Sequence, residues 1–234
     1  MSVSEDIQPV ERYLFLLLFA PDTTGKYSQP VKGDTWLQKE MFLLSKTDRE
    51  LADEAEFEAY AMGSYSDTIA EIQDEFYISG FAERTDDGVR LTLDGRKQAE
   101  KMWDNSTESE RRTVSAVKSW LNDLPFYELL AIIYTHYPES AAKSEVKDQV
   151  ETRRPDLAVS LLKKGKVSLE MARRITGLTQ AQFEGLLAVR GVTMAEVESA
   201  EAALDSRLLN DLYRSAEDSR DGRFVPWEKM NRDA

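Results

Sequence analysis

The sequence contains no cysteine and a single histidine among its 234 residues. The absence of cysteine excludes disulfides, thiolate catalysis and thiolate zinc sites together. No apolar run approaches the roughly 20 residues of a membrane-spanning helix, and the longest covers only residues 13–20. Acidic residues precede this run, whereas a signal peptide has a basic flank. The sequence therefore predicts a cytoplasmic protein with no membrane segment.

Recognisable catalytic motifs are also missing from the sequence. It contains no GxxxxGKS/T, GxSxG or HExxH pattern. His136 lies between Tyr134 and Tyr137, which favours a structural role for the lone histidine. The acidic stretch 53–58 could hold Mg²⁺, but a solvated surface is the simpler interpretation. We therefore predict no enzymatic activity, no metal site and no cofactor, with a metal-dependent hydrolase as the remaining enzymatic alternative.

Negative charge dominates the chain, whose formal net charge is −13. Such a charge repels polyanions at long range, although an adaptation to high salt would produce the same composition. The distribution is uneven: residues 1–106 carry 11 Lys or Arg and 22 Asp or Glu, whereas residues 157–194 carry six and two. Contact with a nucleic acid is therefore expected in the second of these segments.

Helical periodicity and turn residues predict a winged-helix domain over residues 1–104. Asp34 or Thr35 can cap the second helix of this domain, and the acidic connector 48–58 can form a short helix. The DDG sequence at 86–88 is typical of a hairpin turn. The expected elements, in chain order, are helices 10–20, 36–46 and 66–79, strands 81–84 and 89–93, and a closing helix 94–103.

Three short motifs carry a family resemblance in this region. WLQKEMFLL at 36–44, YAMGSYS at 60–66 and LTLDG at 91–95 resemble the pattern LQKLLFLL, YGPYS and LT..G of a family of uncharacterised prokaryotic proteins. This family is similar in outline to the Panacea antitoxin domain. The resemblance covers roughly residues 10–150, with Gly63-Ser64 in place of Gly-Pro. It implies a winged-helix fold and says little about biochemistry.

The rest of the chain is predicted to be helical. Residues 105–152 form the expected helical extension, with helices at 111–121, 125–135 and 140–150. TRRP at 152–155 is expected to separate it from a helix-turn-helix module at 153–214, and a flexible tail covers 215–234. The predicted fold class is therefore mainly α: a winged-helix domain with a small β-hairpin wing, a helical extension and a C-terminal helix-turn-helix module.

Residues 167–191 carry the helix-turn-helix pattern. Ser168 is expected to cap a helix at 169–176, Gly177 to supply the turn, and Thr179 to cap a second helix at 180–190. Two short helices joined in this way are typical of the motif. The side chains expected to face inward are Leu169, Ala172, Ile175, Phe183, Leu186 and Leu187.

The sequence KKGKVSLEMARRITGLTQAQFEGLLAVRGV at 163–192 carries a second resemblance. It is similar to a family of short bacterial and archaeal proteins with the pattern L..GKISLGKAAELAG.S..EF followed by L..RGI. Members of that family are proposed as antitoxins or as DNA-binding partners of toxins. The resemblance covers about 38 residues, and it implies a module rather than a mechanism.

The module predicts a DNA-binding surface. With the second helix in a major groove, Gln180 and Gln182 would reach base edges. Six cations would contact phosphates: Lys163, Lys164, Lys166, Arg173, Arg174 and Arg190. The alternative is that the two helices merely pack, with their lysines in solvent. A small-residue face opposite Phe183, formed by Ala181, Gly185 and Ala188, would equally suit a partner helix or a second copy of the chain.

The predicted winged-helix domain lacks a DNA-reading helix of the right charge. Helix 66–79 has no Lys or Arg and exposes Asp67, Glu71, Asp74 and Glu75, so it would face phosphates with four carboxylates. We interpret this domain as a scaffold for protein interaction or dimerisation. After a helix at 195–213, an apolar island in the tail could anchor a partner protein, although Trp227 could instead pack on this chain; the island is formed by Phe224, Val225 and Trp227.

These observations lead to two functional hypotheses. The first is a non-enzymatic DNA-binding regulator, an antitoxin or antitoxin-like transcription factor of a toxin–antitoxin system. It would bind operator DNA through the helix-turn-helix and a toxin or other protein through its remaining surfaces, with a homodimer as a further option. The second is a protein-interaction adaptor, for example in a defence system, that never binds DNA.

Overall fold

The computed structural model describes residues 7–203, which form a mainly helical protein with small antiparallel hairpins. Its contacts divide the described residues into two units, one formed by 7–58 and 64–123 and the other by 59–63 and 124–203. Within this part of the chain, no helix is long and apolar enough to cross a membrane. The fold class predicted from the sequence is therefore confirmed at the level of a mainly helical chain, and the winged-helix assignment stays a prediction.

The first unit is built around its N-terminal helix. Tyr13 and every residue from 14 to 18 are buried in this helix, so the longest apolar run of the sequence is a core helix, as predicted. The unit has six helices among the residues described, namely α1 (Pro9–Phe19), α2 (Asp34–Ser45), α3 (Arg49–Ala55), α4 (Asp67–Ile78), α5 (Leu93–Asn105) and α6 (Glu108–Leu121).

Four short strands form two two-stranded sheets within residues 7–203. They are β1 (Glu58–Tyr60) with β2 (Gly63–Tyr65), and β3 (Ala82–Thr85) with β4 (Gly88–Leu91). The second pair is antiparallel with Thr85 opposite Gly88, which confirms the predicted hairpin. Gly88 has a φ of +127° and lies so close to the preceding loop that a Cβ would be 2.0 Å from the Val31 carbonyl oxygen. Glycine is therefore required at this turn.

Several polar side chains are buried inside the first unit, although no pattern in the sequence indicates their burial. Gln38 and Lys39 of α2 hold β2 and the residue that follows it. Gln38 exchanges two hydrogen bonds of 3.0 Å with the Ser66 backbone, and Lys39 Nζ donates to the Ser64 carbonyl at 2.6 Å. Burial lowers the pKa of Lys39 to about 8. Glu40 is fully buried, and neither of its carboxylate oxygens has a hydrogen-bond partner among the residues described.

Lys118 of α6 joins distant parts of the same unit. Its Nζ donates to the carbonyl oxygens of Leu17, Leu18, Ala20 and Gln29, at 2.9 to 3.2 Å. The last carbonyls of a helix have no partner inside the helix, so Lys118 satisfies the C-terminal end of α1. Burial lowers the pKa of this ammonium group to about 8, and nearby carboxylates partly oppose the shift.

The cap predicted for α2 is wrong. Gly33, not Asp34 or Thr35, precedes its first turn, and no side chain caps it. Asp34 is engaged elsewhere, since its carboxylate accepts hydrogen bonds from Arg84 and Gln73. The acidic connector does contain a helix, α3, whose N-cap is Asp48.

The second unit contains five α-helices among its described residues: α7 (Phe126–His136), α8 (Lys147–Lys163), α9 (Leu169–Thr176), α10 (Gln180–Val189) and α11 (Met194–Ala203). A 3-10 helix, Pro138–Ala141, follows α7, so the predicted helix at 140–150 is wrong. The predicted interruption at 152–155 is also wrong, because α8 runs through it with Pro155 inside. Buried apolar residues on both sides of the proline, such as Val150 and Ala158, hold this helix against its neighbours. The other predicted domain limits stay predictions.

Candidate nucleic-acid interface

Helices α9 and α10 have the start and stop signals expected from the sequence. Ser168 Oγ accepts the Met171 N–H at 3.2 Å and caps α9. Gly177 ends α9 in a left-handed conformation with φ +68°. Thr179 and Gln182 form a capping box at the start of α10. The predicted pair of helices and its turn are therefore confirmed at the level of local structure.

Two side chains attach α10 to the unit. Phe183 is 1% exposed and Leu187 is 5% exposed, and they accompany buried residues of α9 such as Ile175. Leu169 and Leu186, also predicted to face inward, are only partly buried. The opposite side of α10 is open to solvent, with exposed Ala181, Gly185, Ala188 and Val189.

The structure gives the six predicted phosphate-binding cations different surroundings. Lys164 Nζ lies 2.7 and 2.8 Å from the carboxylate oxygens of Glu128, a buried residue of α7. Lys166 is partly buried at the turn between α8 and α9. Lys163 and Arg174 are exposed and form no salt bridge within residues 7–203.

Two further arginines of this set are paired with exposed carboxylates. Arg173 Nη2 lies 2.6 Å from Glu170 Oε1, and Arg173 also donates to the Leu178 carbonyl at 3.2 Å. The hydrogen bond from Arg173 is the main cause that lowers the pKa of Glu170. Arg190 forms a salt bridge with Asp156 of α8. Exposed pairs of this kind are worth little energetically, so either arginine can exchange its carboxylate for a phosphate.

The two glutamines predicted to reach base edges are placed differently. Gln182 Oε1 accepts hydrogen bonds from the backbone N–H and the hydroxyl of Thr179, at 3.0 and 2.9 Å, so this side chain is committed to the cap. Gln180 Nε2 donates to Glu184 Oε1 at 2.7 Å on the exposed side of α10. The structure therefore brings Gln180 and Glu184 together and holds Gln182 at the helix end.

Two arginines from the predicted boundary at 152–155 belong to the same region. Arg154 Nη1 donates to the Ile175 carbonyl at 3.3 Å, which places α8 beside the C-terminal end of α9. The exposed Arg153 lies with its guanidinium carbon 4.3 Å from the centre of the Tyr127 ring. The spacing of the apolar residues of α8 could have placed both arginines on a continuous helix. A helix break expected at Pro155 stood against that interpretation.

Helix α11 closes the other end of α9. Val197 and Ala200 are its buried residues, and Glu201 Oε1 accepts the Leu169 N–H at 2.8 Å. The N-terminal end of a helix attracts anions, but a carboxylate of the protein already occupies this one. The N-terminal end of α9 is therefore not open to a further anion at this N–H group.

The remaining predicted features are distributed over both units. The four carboxylates of α4 are all exposed, and His136 is buried beside Tyr137, with ring centres 6.4 Å apart. In the part of the chain that the structure describes, no group of three or more His, Asp or Glu residues is placed to hold a metal ion. The predicted partner anchor, Phe224, Val225 and Trp227, lies outside the described residues.

Comparison with known proteins adds one finding. Residues 133–211 match the model of an uncharacterised protein family, UPF0175. The match begins in α7 and includes α8 to α11, so it contains the helix pair together with the arginines of α8. It is consistent with the resemblance of residues 163–192 to short prokaryotic proteins, whereas the N-terminal resemblance stays a prediction. No curated protein and no solved structure matched.

Proposed function

We propose that the second unit binds duplex DNA with α10 in the major groove, and that the chain is a non-enzymatic transcription regulator of the antitoxin type. The observation that carries this proposal is the attachment of α10. Only Phe183 and Leu187 of this helix are buried, a capping box fixes its start, and its opposite face is open. A short helix presented in this way after a glycine turn is the form in which helix-turn-helix proteins read DNA.

The exposed cations of the second unit support a contact with phosphates. Lys163, Arg174 and Arg153 are exposed, and Arg173 and Arg190 can exchange their carboxylate partners. Lys164 is the least suitable of the predicted contacts, because removing it from Glu128 would leave a buried carboxylate with the Ser160 hydroxyl but without its cation. The proposed phosphate surface is therefore formed by α8, the α9 residues before Gly177, and the end of α10.

The first unit has a different role in this proposal. In this unit several helices are followed by the β3–β4 hairpin and then by α5, an order that supports a winged-helix arrangement. However, the charged residues of α4 are all carboxylates, and they are exposed. Such a helix would be repelled by a phosphate backbone. We assign this unit to a protein partner, which in a toxin–antitoxin system would be the toxin.

A second candidate function is an adaptor that does not bind DNA. The observation in its favour is that α10 has no Lys or Arg from 180 to 189 and exposes the small residues Ala181, Gly185 and Ala188. Small side chains allow close approach of another helix as well as of a nucleic acid. The two functions differ in their response to salt, because only phosphate contacts release condensed counterions.

The test is a fluorescence anisotropy titration of the full chain against duplexes from the region upstream of its own gene. At about 50 mM salt we expect saturable binding, and log K should fall with log salt by about 0.9 for each phosphate contacted. Arg174→Glu should weaken binding about tenfold and reduce the salt slope by about 1. Arg49→Glu, an exposed arginine of the first unit whose side chain is 75% exposed, is the matched control and should leave both unchanged.

Absence of binding at low salt would reject the regulator in favour of the adaptor. Binding that Arg174→Glu and Arg49→Glu weaken equally would reject the assignment of the phosphate surface to the second unit. Circular dichroism of each variant, recorded before the titration, establishes that the helices remain folded.

A further inference from the structure

The exposed side of α10 carries one polar pair. Gln180 is the first residue of this helix and Glu184 follows one turn later, with a hydrogen bond of 2.7 Å between Gln180 Nε2 and Glu184 Oε1. Both side chains are exposed, and the neighbouring Ala181 and Gly185 present nothing larger than a methyl group. The pair therefore lies among side chains that leave its polar atoms accessible to a bound molecule.

The hydrogen bond within the pair determines which donors and acceptors remain for a bound molecule. Gln180 keeps one N–H donor and its carbonyl oxygen, while Glu184 keeps Oε2 and the second lone pairs of its carboxylate as acceptors. A donor beside an acceptor matches N7 and the N6 amino group of adenine in the major groove. An acceptor alone matches the N4 amino group of cytosine, whereas guanine and thymine present acceptors at the same place.

We propose that Gln180 and Glu184 form the base-reading pair of this protein, with Gln180 on an adenine and Glu184 on the amino group of a neighbouring cytosine. This inference rests on the proposed DNA binding and goes beyond it by naming the reader and the bases. In helix-turn-helix proteins the N-terminal residues of the second helix contact base edges. Gln180 lies at this position, and Glu184 follows it one turn later on the same side. Gln182, committed to the capping box, takes no part in the reading.

A carboxylate in the major groove discriminates between bases because it is repelled by those that present acceptor atoms. Opposite cytosine it receives an N–H donor, but opposite guanine or thymine it faces acceptor oxygens while surrounded by phosphates. The cost of the wrong base at this position is therefore larger than the gain from the right one. Specificity of this kind comes from the penalised competitors as much as from the favoured partner.

The experiment is a selection from a randomised duplex library with the full chain, followed by titration of the selected site and its single-base variants. Wild-type protein should lose about tenfold or more in affinity when the cytosine is replaced by guanine or thymine. Glu184→Gln should reduce this discrimination to within about twofold while keeping the adenine preference. The matched control is Glu198→Gln on α11, which removes the same charge from an exposed residue and should keep the wild-type motif.

The outcomes separate the two levels of the proposal. If wild-type protein selects no sequence and binds no duplex, the proposed function itself is rejected. If it binds a defined site and Glu184→Gln selects the same motif as wild type, DNA binding stands and the reading pair is rejected. Gln180→Ala provides the second check, because it should abolish the adenine preference and leave the circular dichroism spectrum unchanged.

Discussion

The buried carboxyl group of Glu40 leads to a sharp prediction about pH. Glu40 is 0% exposed, and neither of its oxygens accepts or donates a hydrogen bond within residues 7–203. Burial raises its pKa well above 4.5, and the charge of Lys118 opposes the shift only in part. The folded chain therefore retains a proton on Glu40 at pH values at which the unfolded chain has lost it.

The sign of the effect follows from this proton. An acid whose pKa is raised in the folded state contributes stability that is fully present below the unfolded pKa of 4.5 and is lost as the pH rises through the folded pKa. While the folded form holds one more proton than the unfolded form, the free energy of unfolding falls by about 1.4 kcal/mol per pH unit. Glu40→Gln keeps the shape of the side chain and removes the titratable carboxyl group.

The assay is urea unfolding of wild type and Glu40→Gln, followed by tryptophan fluorescence from pH 4.5 upward. Trp103 and Trp120 are buried in the first unit and report on its unfolding. As the pH rises, the free energy of unfolding of the variant should increase relative to that of wild type, by up to about 1.4 kcal/mol per pH unit. Glu50→Gln changes an exposed glutamate of α3 and serves as the control. The pH dependence of its free energy of unfolding should match that of wild type. A constant difference between wild type and Glu40→Gln from pH 4.5 to 8 would refute the reasoning.

Two further predictions concern stability. Lys118→Met should lower the free energy of unfolding of the first unit by about 3 kcal/mol, measured by urea unfolding, because four carbonyl oxygens, most of them in buried contacts, lose their donor. An unchanged value would show that water replaces the ammonium group. Thr179→Ala should destabilise the second unit by about 1 kcal/mol through loss of the α10 cap, seen as faster hydrogen exchange in α10, whereas equal exchange in both proteins would contradict the capping role.

Local signals in the sequence were sufficient for several elements. The Ser168 and Thr179 caps and the left-handed Gly177 predict α9 and α10 without reference to the rest of the chain. The DDG turn predicts the β3–β4 hairpin in the same way. Each of these signals acts through hydrogen bonds or backbone angles within four residues, so no knowledge of tertiary structure is needed.

Features that depend on tertiary packing could not be predicted in this way. Gln38, Lys39 and Glu40 form a polar stretch that suggests an exposed turn of helix, yet all three are buried. Strands β1 and β2 have three residues each, too few for an alternating pattern. Pro155 usually ends a helix, but contacts on both sides of it hold α8 together.

The candidate interface likewise combines features that local sequence signals predict with features that depend on tertiary packing. The sequence pattern picks out the cations and glutamines of the second unit, and their role in DNA binding stays a prediction. It does not reveal which partner each of these side chains has. The Glu128–Lys164 pair joins residues 36 positions apart, and no local rule reveals it. In contrast, the Gln180–Glu184 bond spans one helical turn and could have been predicted from the i, i+4 spacing.

The contacts of Lys118 also have a consequence for the synthesis of this chain. They join residue 118 to carbonyl groups 89 to 101 positions earlier, so α1 cannot reach its final surroundings until α6 has left the ribosome. At about 5–20 residues per second, this interval lasts roughly 5–20 s. During that time the apolar residues of α1, which are buried in the folded unit, lack the cover that α6 later provides.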